Sequence, residues 1–244
     1  MIHGSLLAGP RSSRLATKIR LTAALAALIL TVLAAAPAQA QAGRRPRRES
    51  TANRKLRIAR TVDETYSHPW EAAGGGGYMR YRSGPYLRHN NEVSFWAATR
   101  YSFTPRLGLL GTVQGAYGRA PVGNVLPGNV TLPYNPQISE YAFLAGPSYR
   151  FIQREKYSVA GFVQGGMDLG KFDGASLGFS ATQIGVWPGN FAAAFSAGAT
   201  LDYNIDPSIS LRIMPMYLGT TFGSTIQNAK ALNVGIVYRF GKAK

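Results

Sequence analysis

Cysteine is missing from this 244-residue chain. Its absence rules out disulfides, thiolate metal sites, a thiol nucleophile and an anchor through a lipid-bearing N-terminal cysteine. Histidine is scarce, with only His3, His68 and His89. Acidic residues number 11 against 27 basic ones, and charged residues make up only 16% of the chain, below the roughly 25% of an ordinary soluble domain. There is no HExxH pair, phosphate loop or cluster of metal-ligating spacing, so neither a metal nor a cofactor is expected. Gly74-Gly75-Gly76-Gly77 precedes no helical pattern, so a bulge, a bend or close packing is its expected use.

Long apolar runs are equally rare. The prominent one, Leu21 to Ala36, follows Arg14, Lys18 and Arg20 and precedes Ala38-Gln39-Ala40. A basic start, an apolar centre and small residues at −3 and −1 describe a cleaved export signal, with the cut after Ala40. The run is short of the ~20 residues that a spanning helix needs. Arg44-Arg45-Pro46-Arg47-Arg48 follows at once, and residues 41–69 show neither periodicity nor hydrophobic mass, so a basic, disordered linker is expected there.

From Trp70 onward the pattern changes to period-two alternation, the mark of strands with two unlike faces. The expected strands are Gly74 to Arg82, Glu92 to Phe103, Leu107 to Gly118, Glu140 to Phe151, Tyr157 to Lys171, Phe191 to Ile205, Ile209 to Thr221 and Leu232 to Phe240. Tight turns such as Thr104-Pro105-Arg106 and Asp206-Pro207-Ser208 alternate with longer Gly/Pro/Asn loops. An even strand count with short turns on one side and long loops on the other is the layout of an outer-membrane barrel. The expected fold is therefore all-β: an eight-stranded antiparallel up-and-down transmembrane β-barrel, with short periplasmic turns and longer extracellular loops. The expected organisation is signal peptide 1–40, linker 41–69, barrel 70–241 and basic tail 242–244, in the outer membrane of a Gram-negative-type bacterium.

One parity of each strand carries almost no charge and ends in aromatic residues, as a lipid-facing wall does. Tyr101, Phe103, Tyr149, Phe151, Tyr203, Tyr238 and Phe240 should form the periplasmic girdle, and Tyr81, Tyr117, Tyr141 and Tyr217 the outer one. Pro147 and Pro215 fall mid-strand on that parity, where each removes a ladder donor, so bulges are expected. The other parity is small and polar, suited to a narrow lumen.

Phe143-Leu144-Ala145-Gly146-Pro147-Ser148-Tyr149-Arg150, Leu201-Asp202-Tyr203, Leu211-Arg212-Ile213 and Gly235-Ile236-Val237-Tyr238-Arg239-Phe240-Gly241 make residues 70–241 resemble the small outer-membrane β-barrel family, whose relatives include the OmpA transmembrane domain and OmpX. The resemblance implies that the closing segment, with Gly235, Tyr238 and Phe240, is read by the barrel-assembly machinery. The segment departs from the family pattern by continuing four residues past Phe240.

Ionisable residues on the inward parity fall into two tiers: Arg100, Arg150, Asp202, Arg212 and Arg239 toward the periplasm, and Arg80, Glu92, Glu140, Asp168 and Lys171 toward the outside. Such groups at membrane depth must pair or be wet, so a lumen plugged by an Arg/carboxylate network is expected. A narrow porin-like channel for ions or small solutes is the alternative, and a rim enzyme acting on lipid through His89 is a third reading. A structural or surface-interaction role without catalysis is the leading one. The expected partners are outer-membrane lipids and an extracellular ligand reaching loops 120–137 and 174–190, the latter through Phe179, Ile184 and Trp187. No nucleic acid is expected, and the barrel is expected to be a monomer.

Overall fold

Alternating side chains close eight strands into one ring. The computed structural model describes residues 50–122, 125–126, 130–131, 135–174 and 180–241. The expected signal, the Arg44–Arg48 run, Phe179 and the basic tail lie outside them. The barrel strands are β1 (Trp70–Tyr81), β2 (Asn90–Ser102), β3 (Leu107–Arg119), β4 (Gln137–Gln153), β5 (Tyr157–Gly174), β6 (Asn190–Asp206), β7 (Ile209–Thr220) and β8 (Gln227–Phe240). Each is antiparallel to its sequence neighbours, and β8 pairs with β1 to close the barrel, Gly235 opposite Gly75. Closure leaves no unpaired edge, as spanning a bilayer requires.

The connections alternate as expected. At the short end, Phe103 and Thr104 donate their amides to the Leu107 carbonyl, at 3.0 and 3.1 Å, and Arg154 donates to Tyr157 at 2.9 Å. The long-loop end holds the segments after β1, β3 and β5. In the second of these, Val125–Leu126 pairs with Val130–Thr131, and the third carries a one-turn helix at Ala181–Ile184.

The outer wall is apolar: Val93, Leu109, Phe143, Val163, Leu211, Ile213, Val234 and Ile236 are all exposed. Tyr141 and Tyr149, eight residues apart on β4, are separated by about 26 Å of chain at ~3.3 Å per residue, enough for a tilted strand to cross the apolar band of a bilayer. So extensive an apolar surface is incompatible with a solvated monomer, and the wall is that of a transmembrane barrel. At the short end Trp70 lies tilted against Tyr101 (4.8 Å between centroids) and Tyr238 stacks on Phe240 (5.9 Å). At the other end the Tyr117 hydroxyl meets that of Tyr141.

Strand β1 corrects the expected phase. It starts at Trp70, not Gly74, and points Met79 and Tyr81 inward and Tyr78 and Arg80 outward. The four glycines carry no side chain to set a phase, and the partner strands set it instead. Gly74–Gly77 forms no bulge; a Cβ on Gly75 would fall 2.1 Å from the Val234 carbonyl oxygen, and one on Gly77 2.1 Å from Asn233 Oδ1. Close packing is therefore its use.

No bulge forms at the prolines either. Pairing to β5 lapses between Ala145↔Gly165 and Ser148↔Phe162, and β6–β7 pairing lapses between Gly198↔Met216 and Leu201↔Ile213, without change of register. The missing amide opens the ladder on one side only. The true irregularities are at Gln137/Ser139, Arg150/Ile152 and Asn204/Asp206.

The expected linker is in part a helix, α1 (Thr51–Tyr66), capped by the Ser50 hydroxyl accepting from the Asn53 amide at 3.2 Å. Ile58, Thr61, Val62, Thr65 and Tyr66 form its less exposed side, while Leu56 is exposed. That stripe is too sparse to signal a helix by itself, and the docking of Tyr66 supplies what the local pattern lacks.

Crowding differs sharply between inward Gly146 and outward Gly165. A Cβ at Gly146 would lie 2.1 Å from the Val163 carbonyl oxygen, whereas Gly165 has nothing within 4 Å. Gly146→Leu should therefore destabilise the barrel by about 1–3 kcal/mol, and Gly165→Ala should stay within ~0.5 kcal/mol, both read from urea unfolding in detergent micelles.

Candidate functional site

The short-turn end of the lumen is organised around Glu71, the second residue of β1. Its carboxylate contacts Arg150, Arg212 (3.2 Å), Arg239 (3.3 Å) and Arg100 (3.7 Å). Asp202 on β6 takes Arg212 at 2.7 Å and Arg239 at 3.4 Å. All six side chains are at most 3% exposed. Cross-strand register places them together: Glu71 faces Arg100 and Arg239, and Asp202 faces Arg212. Remaining guanidinium donors reach Ser148 (2.9 Å), Ser102 (2.6 Å), Ser210 (2.6 Å) and the carbonyls of Arg106 (3.1 Å) and Pro105 (3.2 Å).

Tyr66, the last residue of α1, closes this end. Its ring lies 4.9 Å from the Arg150 guanidinium and 5.7 Å from that of Arg239, a cation–π arrangement. Its hydroxyl donates to the Arg154 carbonyl at 2.8 Å and accepts from Asn204 Nδ2 at 2.9 Å.

Above the charges the lumen is packed and mostly neutral. Trp96, Leu110, Leu144, Phe162, Met79 and Met214 are buried there. Gln164 donates to the Leu110 carbonyl (2.8 Å) and to Thr112 (3.0 Å), Ser196 donates to Gln164 (3.2 Å), and Asn233 donates to Gln114 (3.2 Å).

At the long-loop end Glu92, Glu140 and Asp168 are buried. Asn90 donates to Glu92 at 2.5 Å, but neither carboxylate oxygen of Glu140 or Asp168 has a side-chain hydrogen-bond partner. The two cations expected beside them are elsewhere: Arg80 and Lys171 are both exposed, because each stands on the outward parity of its strand. Tyr81, expected in the outer girdle, is buried and stacks on Phe172, which meets Phe222. Nor do the described apolar groups Ile184, Val186 and Trp187 of loop 174–190 point outward. Ile184, Val186 and Trp187 are buried over the mouth, with the Trp187 amide donating to Ser83 O (2.8 Å) and its indole to Arg82 O (3.0 Å). Of loop 120–137, Ala120 and Val122 are buried, and residues 123–124, 127–129 and 132–134 lie outside the described residues.

The rim of that end is basic. Arg80, Arg82, Arg88, Arg119, Lys171 and Lys230 are exposed, and the exposed charged side chains described there are all cations. Arg80 faces Lys230 directly across the β1–β8 seam, an arrangement that is unfavourable without a shared counter-charge. His89 sits in this field. Partial desolvation, then Arg82, Arg80 and Lys230, hold its imidazole below the usual range. Glu92 and Glu140 are buried in the lumen, whereas His89 is exposed. Among these residues no group of His, Asp or Glu could hold a metal ion.

Sequence reasoning missed Glu71 and Tyr66. Glu71 preceded the strand expected from alternation, and Tyr66 lay in a segment expected to be unfolded. The closing strand places Tyr238 and Phe240 on the outer wall and Gly235 inward, where a Cβ would come within 2.8 Å of the Trp96 ring.

No family model matches this chain, and no curated protein does. Among solved structures the chain is similar to Ail, the attachment invasion locus protein of Yersinia pestis, at 20% identity, covering 70% of this chain and 98% of that one with a TM-score of 0.43. It is similar to Neisserial surface protein A at 12% identity, 70% and 97% coverage and a TM-score of 0.49. It is also similar to the outer membrane protein OprG from Pseudomonas aeruginosa, at 10% identity, 72% and 98% coverage and a TM-score of 0.48.

Removing the charge of Glu71 leaves four guanidinium groups facing Asp202 alone. Glu71→Gln should cost about 3–5 kcal/mol, the scale for breaking a buried ion pair from one side, and should lower the temperature at which the heat-modifiable folded band disappears on a gel. Glu155→Gln, which removes only the exposed Arg57 contact, should change it by less than about 1 kcal/mol.

Proposed function

We propose that this chain is an outer-membrane barrel that acts as a sealed, rigid scaffold and engages anionic groups outside the cell through its basic rim, without catalysis. In this reading the short turns and α1 face the periplasm and the long loops face outward. The chain is exported by residues 1–40, acts as a monomer, and is inserted by assembly machinery that reads the segment ending at Tyr238 and Phe240. The observation that carries the proposal is the ring of six exposed cations above the outer tyrosines, with Arg80 and Lys230 side by side. Arg80, Arg119, Lys171 and Lys230 stand on paired strands, which fixes where their charges emerge, and a multivalent anion brought to them neutralises their mutual repulsion. Phosphate groups of the outer leaflet and sulfated or phosphorylated glycans share the required chemistry. A conducting pore has no support from the lumen, which is filled by Tyr66 and the arginines, then Trp96 and Leu110, then Tyr81, Phe172 and Trp187.

Two measurements test this reading. Refolded residues 41–244 should give no single-channel steps in a planar bilayer, and Arg212→Ala should not create any. Reproducible ion-selective steps from the wild type would refute the sealed scaffold. The same protein should bind immobilised heparin, used as a sulfated polyanion, with an affinity that falls steeply as salt is raised. Arg80→Ala combined with Lys230→Ala should weaken that binding roughly tenfold to thirtyfold, at ~1 kcal/mol per cation. Unchanged retention would remove the rim from the proposal.

A further inference from the structure

Arg80 and Lys230 face each other across the β1–β8 seam on the outward parity, so their charges emerge on the wall and not over the lumen. Their height is that of the bilayer interface. Lys230 faces Tyr217 on β7, and Arg80 faces Asn91 on β2. One step below Arg80 on the same face, the Tyr78 hydroxyl donates to Asn91 Oδ1 at 2.5 Å. Tyrosines at such a level mark the headgroup zone. Two like charges side by side call for a shared counter-charge, and among the described residues the exposed charged groups of this rim are all cations. Glu92, Glu140 and Asp168 are buried on the inward parity.

Beneath this pair the wall is recessed. Below Tyr78 the outward residues of β1 are Gly76, Gly74 and Ala72. On the β8 side Gly76 faces Val234 and Gly74 faces Ile236, which stand proud at 51% and 58% exposure. On the β2 side Gly76 faces Phe95, whose ring leans away over Gly115 on β3 and stacks beside Tyr117 at 6.1 Å. The glycine floor is therefore uncovered. Among the described residues a Cβ at Gly76 would meet only the Ser94 carbonyl oxygen, at 3.8 Å, and one at Gly74 only that of Trp96, at 3.4 Å. Gly74 faces Ala97, and from there the recess widens into a groove of about 650 Å³ over Ala72, Gly111, Ala145 and Gly165. Arg80 and Gly74 are six residues apart, ~20 Å of strand at ~3.3 Å per residue. A strand tilt of ~45° makes that ~14 Å of depth, about half of the ~30 Å hydrocarbon core. The recess is as deep as the chains of one leaflet.

We propose that this recess holds an acyl chain of one phosphate-bearing lipid of the outer leaflet, whose phosphate lies between Arg80 and Lys230. The inference rests on the anion-binding rim proposed above and names the anion that this pair takes. A lipid gains no hydrophobic free energy by leaving its neighbours for an apolar wall, so selection comes from fit and charge. A chain on the glycine floor makes dispersion contacts that a gap would forfeit, and the phosphate supplies the missing counter-charge. A zwitterionic headgroup brings an ammonium with its phosphate and gains less beside two cations. A soluble anion would answer the cations but leave the recess unfilled. A second barrel docked by a two-fold axis along the bilayer normal would bring its own Arg80 and Lys230 to the same height, adding to the repulsion.

The test is native mass spectrometry of refolded residues 41–244 in detergent, with dimyristoyl phosphatidic acid, dimyristoyl phosphatidylcholine or glycerol phosphate as probes. One phosphatidic acid should stay on each barrel, bound roughly tenfold to thirtyfold more tightly than phosphatidylcholine. Arg80→Ala combined with Lys230→Ala should remove that preference. Gly76→Leu keeps both cations and fills the recess, so it should weaken phosphatidic acid about fivefold or more through lost chain contacts. Its retention on heparin should be unchanged, which separates failure of this inference from failure of the rim reading. Glycerol phosphate, the same headgroup without chains, should neither remain bound nor displace the lipid. Equal retention of the two lipids, wild-type binding in Gly76→Leu, displacement by glycerol phosphate, or paired barrels without lipid would each overturn the proposal. Should Gly76→Leu fail to fold, Ala97→Leu narrows the recess from β2 and must give the same loss.

Discussion

A charge buried in a narrow barrel must find its opposite within a few ångströms, and most of the inner architecture follows from how Glu71 meets that demand. One carboxylate on β1 reaches four guanidinium groups from β2, β4, β7 and β8, so it ties both sides of the β1–β8 seam to the far wall. The closing strand contributes Arg239 to the same cluster, and closure of the barrel and assembly of the cluster are therefore one event. Such a network need not add net stability over an apolar filling. Its value is specificity: a slip of β8 by one residue would turn Arg239 into the bilayer and expel it from its partners.

Outside, the same strands obey the opposite rule. Their outward residues are apolar along the span, aromatic at the interfaces and basic at the long-loop rim. The inward residues are small where the backbone crowds and polar where a partner is available. Gly77 and Gly235 leave space for the side chains of Asn233 and Trp96, and Gly75 for the facing backbone of Val234 and Gly235. Among the described residues the interior is filled by side chains and the exposed charged groups of the long-loop rim are cations.

The two ends of the lumen are closed by different means. At the base, a helix brings a single tyrosine over two arginines. At the mouth, Ile184, Val186 and Trp187 fold back against Tyr81, Phe172 and Phe222. Both closures use segments outside the strands, and in both the connecting chain gains its order from what it covers.

The strand number, the antiparallel ring, the lipid-facing parity and the four lower arginines were legible from alternation. A side chain every second residue has only two places to go, and one of them was free of charge. What alternation could not supply was phase where side chains are absent or order where contacts are distant. Four glycines left β1 without a phase, so Arg80 and Tyr81 exchanged faces relative to expectation and Glu71 went unassigned. Tyr66 gives no periodic signal because its partners, Arg150, Arg154, Asn204 and Arg239, are more than eighty residues away in sequence. The sequence by itself determined that this chain builds an eight-stranded wall with an apolar outside. Only the tertiary structure decided which charges share the lumen, because that depends on the register in which β1 meets β8 and on a helix held in place by its last residue.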